Sequence, residues 1–150
     1  MYAIKAEVSD LNAVTWTFSA QKTMYGGKRI RAGDKIFVFA SENEGGPGLI
    51  ACGLVTSAEA TPRAIGIERQ TPRVSVKVNR TGKAMRQLGR IELKPFCDWN
   101  DRKPETELNF KFYRQATNKI VDLSAEAAAF LGTFFQPNET AHARPAASDA

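Results

Sequence analysis

Histidine and cysteine are nearly missing from this 150-residue chain. The one histidine, His142, lies in a polar C-terminal stretch, and the two cysteines, Cys52 and Cys97, lie in separate apolar stretches without a CxxC spacing. Structural zinc sites need several Cys or His ligands at short spacings, and a nucleophilic triad usually needs a histidine base. The sequence therefore predicts no metal site, no cofactor and no catalysis through histidine.

Long apolar runs are missing as well. No run approaches the roughly 20 residues of a membrane-spanning helix, and the first residues lack the basic and apolar segments of a secretory signal. We therefore expect a cytoplasmic protein without a membrane partner. Because 43% of the residues are hydrophobic, the chain can bury the core of one domain without disulfides.

Acidic residues are scarce between residues 61 and 90. This segment contains eight basic residues and one acid, Glu68, so its net charge of +7 exceeds the +5 of the whole chain. Such clustering is typical of a surface that binds phosphates, although a solvated basic face without a partner has the same composition. The residues expected to contact a nucleic-acid backbone are Arg29, Arg73, Lys77, Arg80, Lys83 and Arg86.

Short segments rich in β-branched and aromatic residues predict a mainly β domain. Residues 35–40 (KIFVFA) and 49–56 (LIACGLVT) are separated by a loop with three glycines, which predicts an antiparallel hairpin at the centre of a sheet. Further strands are predicted, from alternating polar and apolar residues, over residues 2–7, 13–19 and 73–78.

The segments between residues 83 and 113 have weaker patterns. Residues 83–88 predict a short helix that ends at Gly89, and residues 91–93 predict a short strand. Residues 96–107 predict a loop that is longer than most compact domains contain. The alternation over residues 108–113 fits a strand or a helical turn.

The most regular helical pattern covers residues 125–135. Ser124 before it is a good N-cap residue, and Glu126 in the first turn is favoured by the helix dipole. From residue 136 onwards the sequence has no apolar period, which predicts a disordered tail over residues 136–150. The chain is therefore expected to form one domain over residues 1–135.

The order of these segments resembles the EVE domain family of the PUA-like superfamily, which is related to the YTH and ASCH domains. Members of that family typically read as a strand ending in lysine, an aromatic-bearing loop, a helix, a Gly-Asp turn, a strand ending in a small residue and serine, and a further strand after a glycine. The segments that carry this resemblance are residues 2–5 (YAIK), Trp16, residues 29–41 (RIRAGDKIFVFAS), 48–55 (GLIACGLV), 113–116 (YRQA) and 120–124 (IVDLS).

The resemblance implies an α+β fold, a PUA-like open β-barrel of five to seven strands flanked by helices. It also implies a nucleic-acid-binding module that accepts a modified base, methylated or hydroxymethylated, from DNA or RNA and catalyses no reaction. Aromatic walls would stack on the base with roughly 1–3 kcal/mol each, and polar groups would bind its edge. The residues that the resemblance places in this pocket are Trp16, Ser19, Ser41, Trp99, Lys5 and Arg114.

Each of these residues also has an ordinary structural interpretation. Trp16 fits a core tryptophan, the two serines fit turns at strand ends, and Trp99 fits a lid over the core. Lys5 fits a solvated strand end. The residue types alone do not separate these interpretations from a role in binding.

Two other functions stay open at the level of sequence. One is an ASCH-like small hydrolase or ribonuclease acting on modified nucleosides or RNA, in which Lys5 and either Glu7 or Glu42 would act as base and nucleophile after desolvation shifts their pKa values. The sequence shows no tight group of such residues, so binding is favoured over catalysis. The other is an RNA-binding domain without a preference for modification.

Overall fold

Six β-strands form the framework of the computed structural model, which describes residues 1–62, 66 and 72–137. The strands are β1 (Tyr2–Ala6), β2 (Thr15–Met24), β3 (Lys35–Ala40), β4 (Gly48–Ala60), β5 (Arg73–Lys83) and β6 (Lys119–Asp122). The α-helices are α1 (Arg90–Leu93), α2 (Pro104–Phe112) and α3 (Ala125–Gly132), and two 3₁₀ turns cover Gly27–Arg29 and Glu42–Glu44.

The strands close into a barrel in the order β1-β3-β4-β5-β2-β6, because β6 pairs with both β2 and β1. β1 runs parallel to β3 and β2 runs parallel to β6, whereas the other neighbours are antiparallel. The predicted α+β barrel of five to seven strands is confirmed, but it is closed rather than open, because β6 joins β1 to β2. The predicted central hairpin is also confirmed: Lys35 pairs with Leu54 and Ala40 with Gly48.

Side-chain alternation divides the core into two layers. Along β3, Ile36 and Val38 belong to the cluster inside the barrel, whereas Phe37 and Phe39 belong to a second cluster that packs beneath the helices. The inner layer contains Ile4, Trp16, Phe18, Val55, Val76, Val78 and Ile120. The outer layer contains Ala3, Leu93, Leu108, Phe112, Ala127 and Leu131. The helices therefore cover only part of the outer surface of the barrel.

The helix predicted over residues 83–88 is wrong. β5 continues to Lys83, which pairs with Ala51 of β4, and the segment after it stays bonded to the same strand. The backbone amide of Ala84 donates to Ile50, and the amide of Leu49 donates to the carbonyl of Leu88. These long-range bonds decide against a local helix.

The strand predicted over residues 91–93 is also wrong, because these residues belong to α1. The Glu92 carboxylate accepts a hydrogen bond from the amide of Gly89 at 2.8 Å, which caps the first turn. Within the loop predicted over residues 96–107, α2 begins at Pro104, with Glu105 and Glu107 in its first turn. Residues 108–113 continue this helix to Phe112, so the helical alternative holds there.

The closing helix begins where the sequence predicts. The Ser124 hydroxyl accepts a hydrogen bond from the amide of Ala127 at 3.1 Å and so caps α3. The helix ends at Gly132, earlier than predicted, and the buried rings of Phe134 and Phe135 follow in tight turns. Apart from Gln136 and Pro137, the tail predicted over residues 136–150 lies outside the described residues.

None of the helices in the described ranges is both long enough and apolar enough to cross a membrane.

Candidate nucleic-acid interface

The outer surface of β2 and β5 is polar and exposed. The valines of β5 point into the barrel, so the residues between them point outwards, and β2 follows the same rule. Thr17 lies opposite Lys77, and Lys22 lies opposite Arg73. We call this surface the bare face. Its exposed outer residues are Thr15, Thr17, Ser19, Arg73, Lys77 and Asn79.

Three more cations follow at the end of β5 and organise the neighbouring loops. The Arg80 guanidinium donates to the carbonyls of Asn12 and Ala13 at 2.9 and 3.0 Å. Lys83 donates to the Asn12 side chain at 3.3 Å. Arg86 donates to the carbonyl of Thr133 at 3.1 Å and lies over the Phe134 ring. The structure thus brings five of the six predicted backbone-contacting residues onto β5 and the segment after it.

A groove of about 300 Å³ lies beside these cations. Its walls combine the exposed apolar side chains of Leu11 and Met85 with the exposed Lys83 and Arg86. Arg29, the sixth predicted residue, lies in the 3₁₀ turn Gly27–Arg29, where its guanidinium contacts the Asp122 carboxylate at 3.3 Å. Asp122 lies on β6, and β2 lies between β6 and β5 in the barrel, so Arg29 is separate from the cations of β5.

Lys5 is fully buried rather than solvated. Its ammonium donates to the carbonyls of Phe112 and Ala116 at 2.8 and 3.0 Å, and it lies 4.8 Å from the centre of the Tyr113 ring. Burial lowers the pKa of Lys5 to about 8, against the opposing effect of the Glu42 carboxylate. No carboxylate accepts a hydrogen bond from Lys5 within the described residues.

Lys119 pairs directly with Lys5 across β6 and β1 and is 1% exposed. Its ammonium donates to the carbonyl of Gln115 at 2.9 Å. Burial, together with the charges of Lys5 and Lys22, lowers the pKa of Lys119 to about 8. Two buried ammonium groups therefore lie beneath residues 113–118, held by backbone carbonyls of that segment and of Phe112.

Glu42 is occupied by other partners. The Tyr113 hydroxyl donates to the Glu42 carboxylate at 3.0 Å, and the backbone amide of Arg90 donates to it at 2.7 Å. Burial raises the pKa of Tyr113, with a further contribution from Glu42, so the phenol stays protonated. Glu7 is exposed at the end of β1. Lys5 is thus hydrogen-bonded to neither carboxylate, and the hydrolase or ribonuclease alternative is not favoured.

The residues predicted to form one aromatic pocket do not come together. Trp16 is 8% exposed inside the barrel, where its ring stacks on Phe18 at 6.4 Å and its indole nitrogen donates to the carbonyl of Asp10 at 3.0 Å. Ser19 is an odd number of positions away on β2, so it points outwards onto the bare face. These two residues lie on opposite sides of one strand.

The other predicted pocket residues form two pairs. Lys5 and Ser41 lie near the ends of β1 and β3, where the amide of Ser41 donates to Ala6 at 2.8 Å and its buried hydroxyl has no hydrogen-bond partner among the described residues. Trp99 and Arg114 meet on Phe110. The Trp99 ring contacts Phe110 edge-on at 5.5 Å, and the Arg114 guanidinium lies over the same ring at 4.1 Å.

Sequence reasoning missed Phe110, Tyr113 and Lys119. Lys119 could have been noticed in the sequence, because it directly precedes the apolar residues of a predicted strand and lysine is rarely buried in such a segment. Phe110 and Tyr113 had none, since their roles depend on where α2 lies against the barrel.

Two solved structures share this fold. The DUF55 domain of human thymocyte nuclear protein 1 is 16% identical, over 88% of this chain and 96% of that chain, with a TM-score of 0.58. Human THYN1 protein, solved in complex with DNA containing 5-methylcytosine, is 19% identical, over 88% of this chain and 95% of that chain, with a TM-score of 0.61. No family model and no curated protein matches the chain. At these identities the two likenesses show the fold alone, and that fold is the α+β barrel flanked by helices that the sequence resemblance implied.

Proposed function

We propose that this chain is a nucleic-acid-binding module that recognises a modified base, with 5-methylcytosine in DNA as the first candidate. The observation that carries the proposal is the fold shared over 88% of the chain with a human protein solved on DNA containing 5-methylcytosine. The net charge of +5 and the cations of β5 suit a polyanionic partner. RNA offers the same phosphate charges and is the alternative partner.

The bare face and the end of β5 are proposed to bind the phosphate backbone. Arg73, Lys77 and Lys83 have exposed side chains that a phosphate can approach without any rearrangement of the barrel. Phosphate contacts position a duplex and contribute most of the salt dependence, but they carry no base information. This surface is therefore expected to supply affinity rather than selectivity.

Selectivity is proposed to come from the strand ends that carry Lys5 and Ser41. The Ser41 hydroxyl is buried without a partner among the described residues, and a buried polar group of this kind costs free energy unless it is satisfied. A base edge inserted here would satisfy it. The role of Trp16 as a stacking wall stays a prediction, because its ring fills the barrel interior.

The test measures binding of matched duplexes that differ only in one 5-methylcytosine, by fluorescence anisotropy at several salt concentrations, with RNA of the same sequence in parallel. We expect tighter binding of the methylated duplex. Arg73→Gln, Lys77→Gln and Lys83→Gln together should weaken binding to both duplexes alike. They should also reduce the log-log salt slope by about 0.9 for each phosphate that is no longer neutralised.

The matched control carries the same charge change elsewhere, at the exposed Lys28, Arg31 and Lys94. An equal loss in this control would show that net charge alone accounts for binding. Equal affinity for methylated and unmethylated oligonucleotides in the parent protein would contradict the proposed recognition of a modified base. Trp16→Phe keeps most of the ring volume, so a selective loss of methylated binding in that variant would support a stacking role.

A further inference from the structure

A second cavity, of about 450 Å³, lies between the loop after α1 and the first turns of α2 and α3. The lining residues that bear on its chemistry are Trp99, Arg102, Lys103, Glu107, Phe110 and Glu126. Its volume is in the usual range for small-molecule sites, and its walls combine aromatic rings, carboxylates and cations. This combination distinguishes it from the barrel interior, where the cluster around Trp16 and Phe18 contains only apolar side chains.

The aromatic wall is held in place before any ligand arrives. The centre of the Phe110 ring lies 5.8 Å from the centre of the Tyr25 ring and 5.5 Å from the centre of the Trp99 ring. The Arg114 guanidinium lies 4.1 Å from the centre of the Phe110 ring. Trp99 nevertheless remains 42% exposed, which leaves ring surface available to the cavity. A large exposed indole on a fixed aromatic support is a platform on which a planar ligand can stack.

The polar groups around this platform carry both signs. Glu107 accepts hydrogen bonds from the Ser124 amide at 2.9 Å and from Lys111 at 3.0 Å. Burial raises the pKa of Glu107, but these bonds outweigh that effect and lower it overall, so the carboxylate stays charged. Glu126 is exposed at the start of α3, and the exposed Arg102 and Lys103 also line the cavity.

We propose that this cavity binds a single nucleotide whose base carries an exocyclic amino group. The base would stack on Trp99, its amino group would donate to the Glu126 carboxylate, and its phosphate would lie between Arg102 and Lys103. Carboxylates accept hydrogen bonds from amino groups such as N4 of cytosine. A purely apolar ligand would leave these charges unused, and a simple anion would leave the rings unused.

The position of the cavity links it to the proposed function. Arg114 covers Phe110 at the cavity and follows Tyr113, which contacts Lys5 and Glu42 at the strand ends. The proposal therefore places at Trp99 an unpaired nucleotide that neighbours the one bound at the strand ends. The inference rests on the proposed function for its ligand class but uses different residues.

The experiment exploits the two tryptophans, because only Trp99 is substantially exposed. Deoxycytidine monophosphate is titrated while tryptophan fluorescence is recorded, with thymidine monophosphate, which lacks the amino group, and deoxycytidine, which lacks the phosphate, in parallel. We expect saturable quenching by deoxycytidine monophosphate, about tenfold weaker binding of the other two, and loss of the signal in Trp99→Phe.

Two variants assign the partners. Glu126→Gln should remove the preference over thymidine monophosphate, and Arg102→Gln should remove the preference over deoxycytidine. The matched controls are Glu105→Gln, on α2 outside the cavity lining, and Lys94→Gln, and both should behave as the parent. The proposal is overturned if no nucleotide quenches Trp99, or if the two variants keep both preferences.

The result separates this inference from the proposed function. Selective duplex binding that Trp99→Ala leaves unchanged, without nucleotide quenching, would retain the function and reject the cavity. Saturable quenching by the nucleotide in a protein that does not discriminate between methylated and unmethylated duplexes would retain the cavity and reject the function. If both hold, Trp99→Ala should weaken binding of a single-stranded oligonucleotide roughly tenfold.

Discussion

The two sides of the barrel differ although their strands follow the same alternation. On β3, the outward residues Phe37 and Phe39 are buried beneath the helices. On β2 and β5, the outward residues Thr17 and Lys77 are exposed on the bare face. Both sides fill the barrel interior with apolar residues, so the outward residues alone decide which side is covered. The side beneath the helices is expected to supply most of the stability, and the bare face is expected to supply contacts with the phosphate backbone.

We call the side of the barrel beneath the helices the covered side. The largest effect on stability is expected when an aromatic ring is removed from it. The Phe112 ring is fully buried and lies 5.0 Å from Phe39, so Phe112→Ala removes contacts that join α2 to the barrel. We expect a loss of about 3–5 kcal/mol in the free energy of unfolding, measured by urea denaturation. A decrease under about 1 kcal/mol would show that the helices contribute little to the barrel.

The buried ammonium of Lys119 makes the covered side sensitive to pH. Folding lowers its pKa from 10.5 to about 8, so between these values the unfolded chain binds more protons and stability rises with pH. Below pH 8 the full cost of burying the charge is present. Lys119→Met should therefore be more stable than the parent below pH 8, by about 1 kcal/mol or more, with the advantage shrinking towards pH 10.5.

The measurement is the difference in unfolding free energy between Lys119→Met and the parent across this pH window, because titrating groups that do not interact with Lys119 cancel in the difference. Lys94→Met, at an exposed position, is the control and should show no pH-dependent difference. A difference that is constant with pH would mean that folding does not lower the pKa of Lys119.

The cap of α3 tests a smaller contribution to the covered side. Ser124 accepts a hydrogen bond from the amide of Ala127 and donates one to Glu107. Ser124→Ala should cost about 1 kcal/mol in thermal or urea unfolding. Ser124→Thr keeps the hydroxyl and should recover most of this stability, whereas equal destabilisation in both variants would point to packing rather than capping.

The smallest effect on stability is expected on the bare face. Thr17→Ala and Lys77→Gln replace exposed side chains, and each should change the free energy of unfolding by less than about 0.5 kcal/mol. Lys77→Gln should at the same time weaken DNA binding. A large loss of stability in either variant would contradict the assignment of this face as one that contributes little to the fold.

The sequence predicted the strands well because successive side chains of a strand point alternately into the barrel and out of it. The two sides differ in burial, so the residue types alternate as well. It left residues 108–113 open between a strand and a helical turn because Leu108, Phe110 and Phe112 alternate like a strand, although Phe110 lies on a different side of α2 from the other two. It failed at the end of β5, where bonds to β4 override a local helical preference. Tertiary contacts decide such segments.

The candidate site was harder to predict than the fold. The separation of Trp16 from Ser19 could have been read from their odd spacing on one strand. The burial of Lys5 and the meeting of Trp99 with Arg114 could not, because both depend on the place of α2, whose backbone and rings complete these contacts. Sequence order therefore indicated which residues matter but not which of them are neighbours.

The order of the strands also governs how the chain folds as it is synthesised. The first strand, β1, lies between β3 and β6, and β6 is also the partner that β2 needs to lose its last free edge. Until the four residues Lys119–Asp122 have left the ribosome, two strand edges stay open to wrong partners. The nascent protein is therefore expected to stay prone to edge-to-edge association until this short strand, near the end of the chain, has paired with β1 and β2.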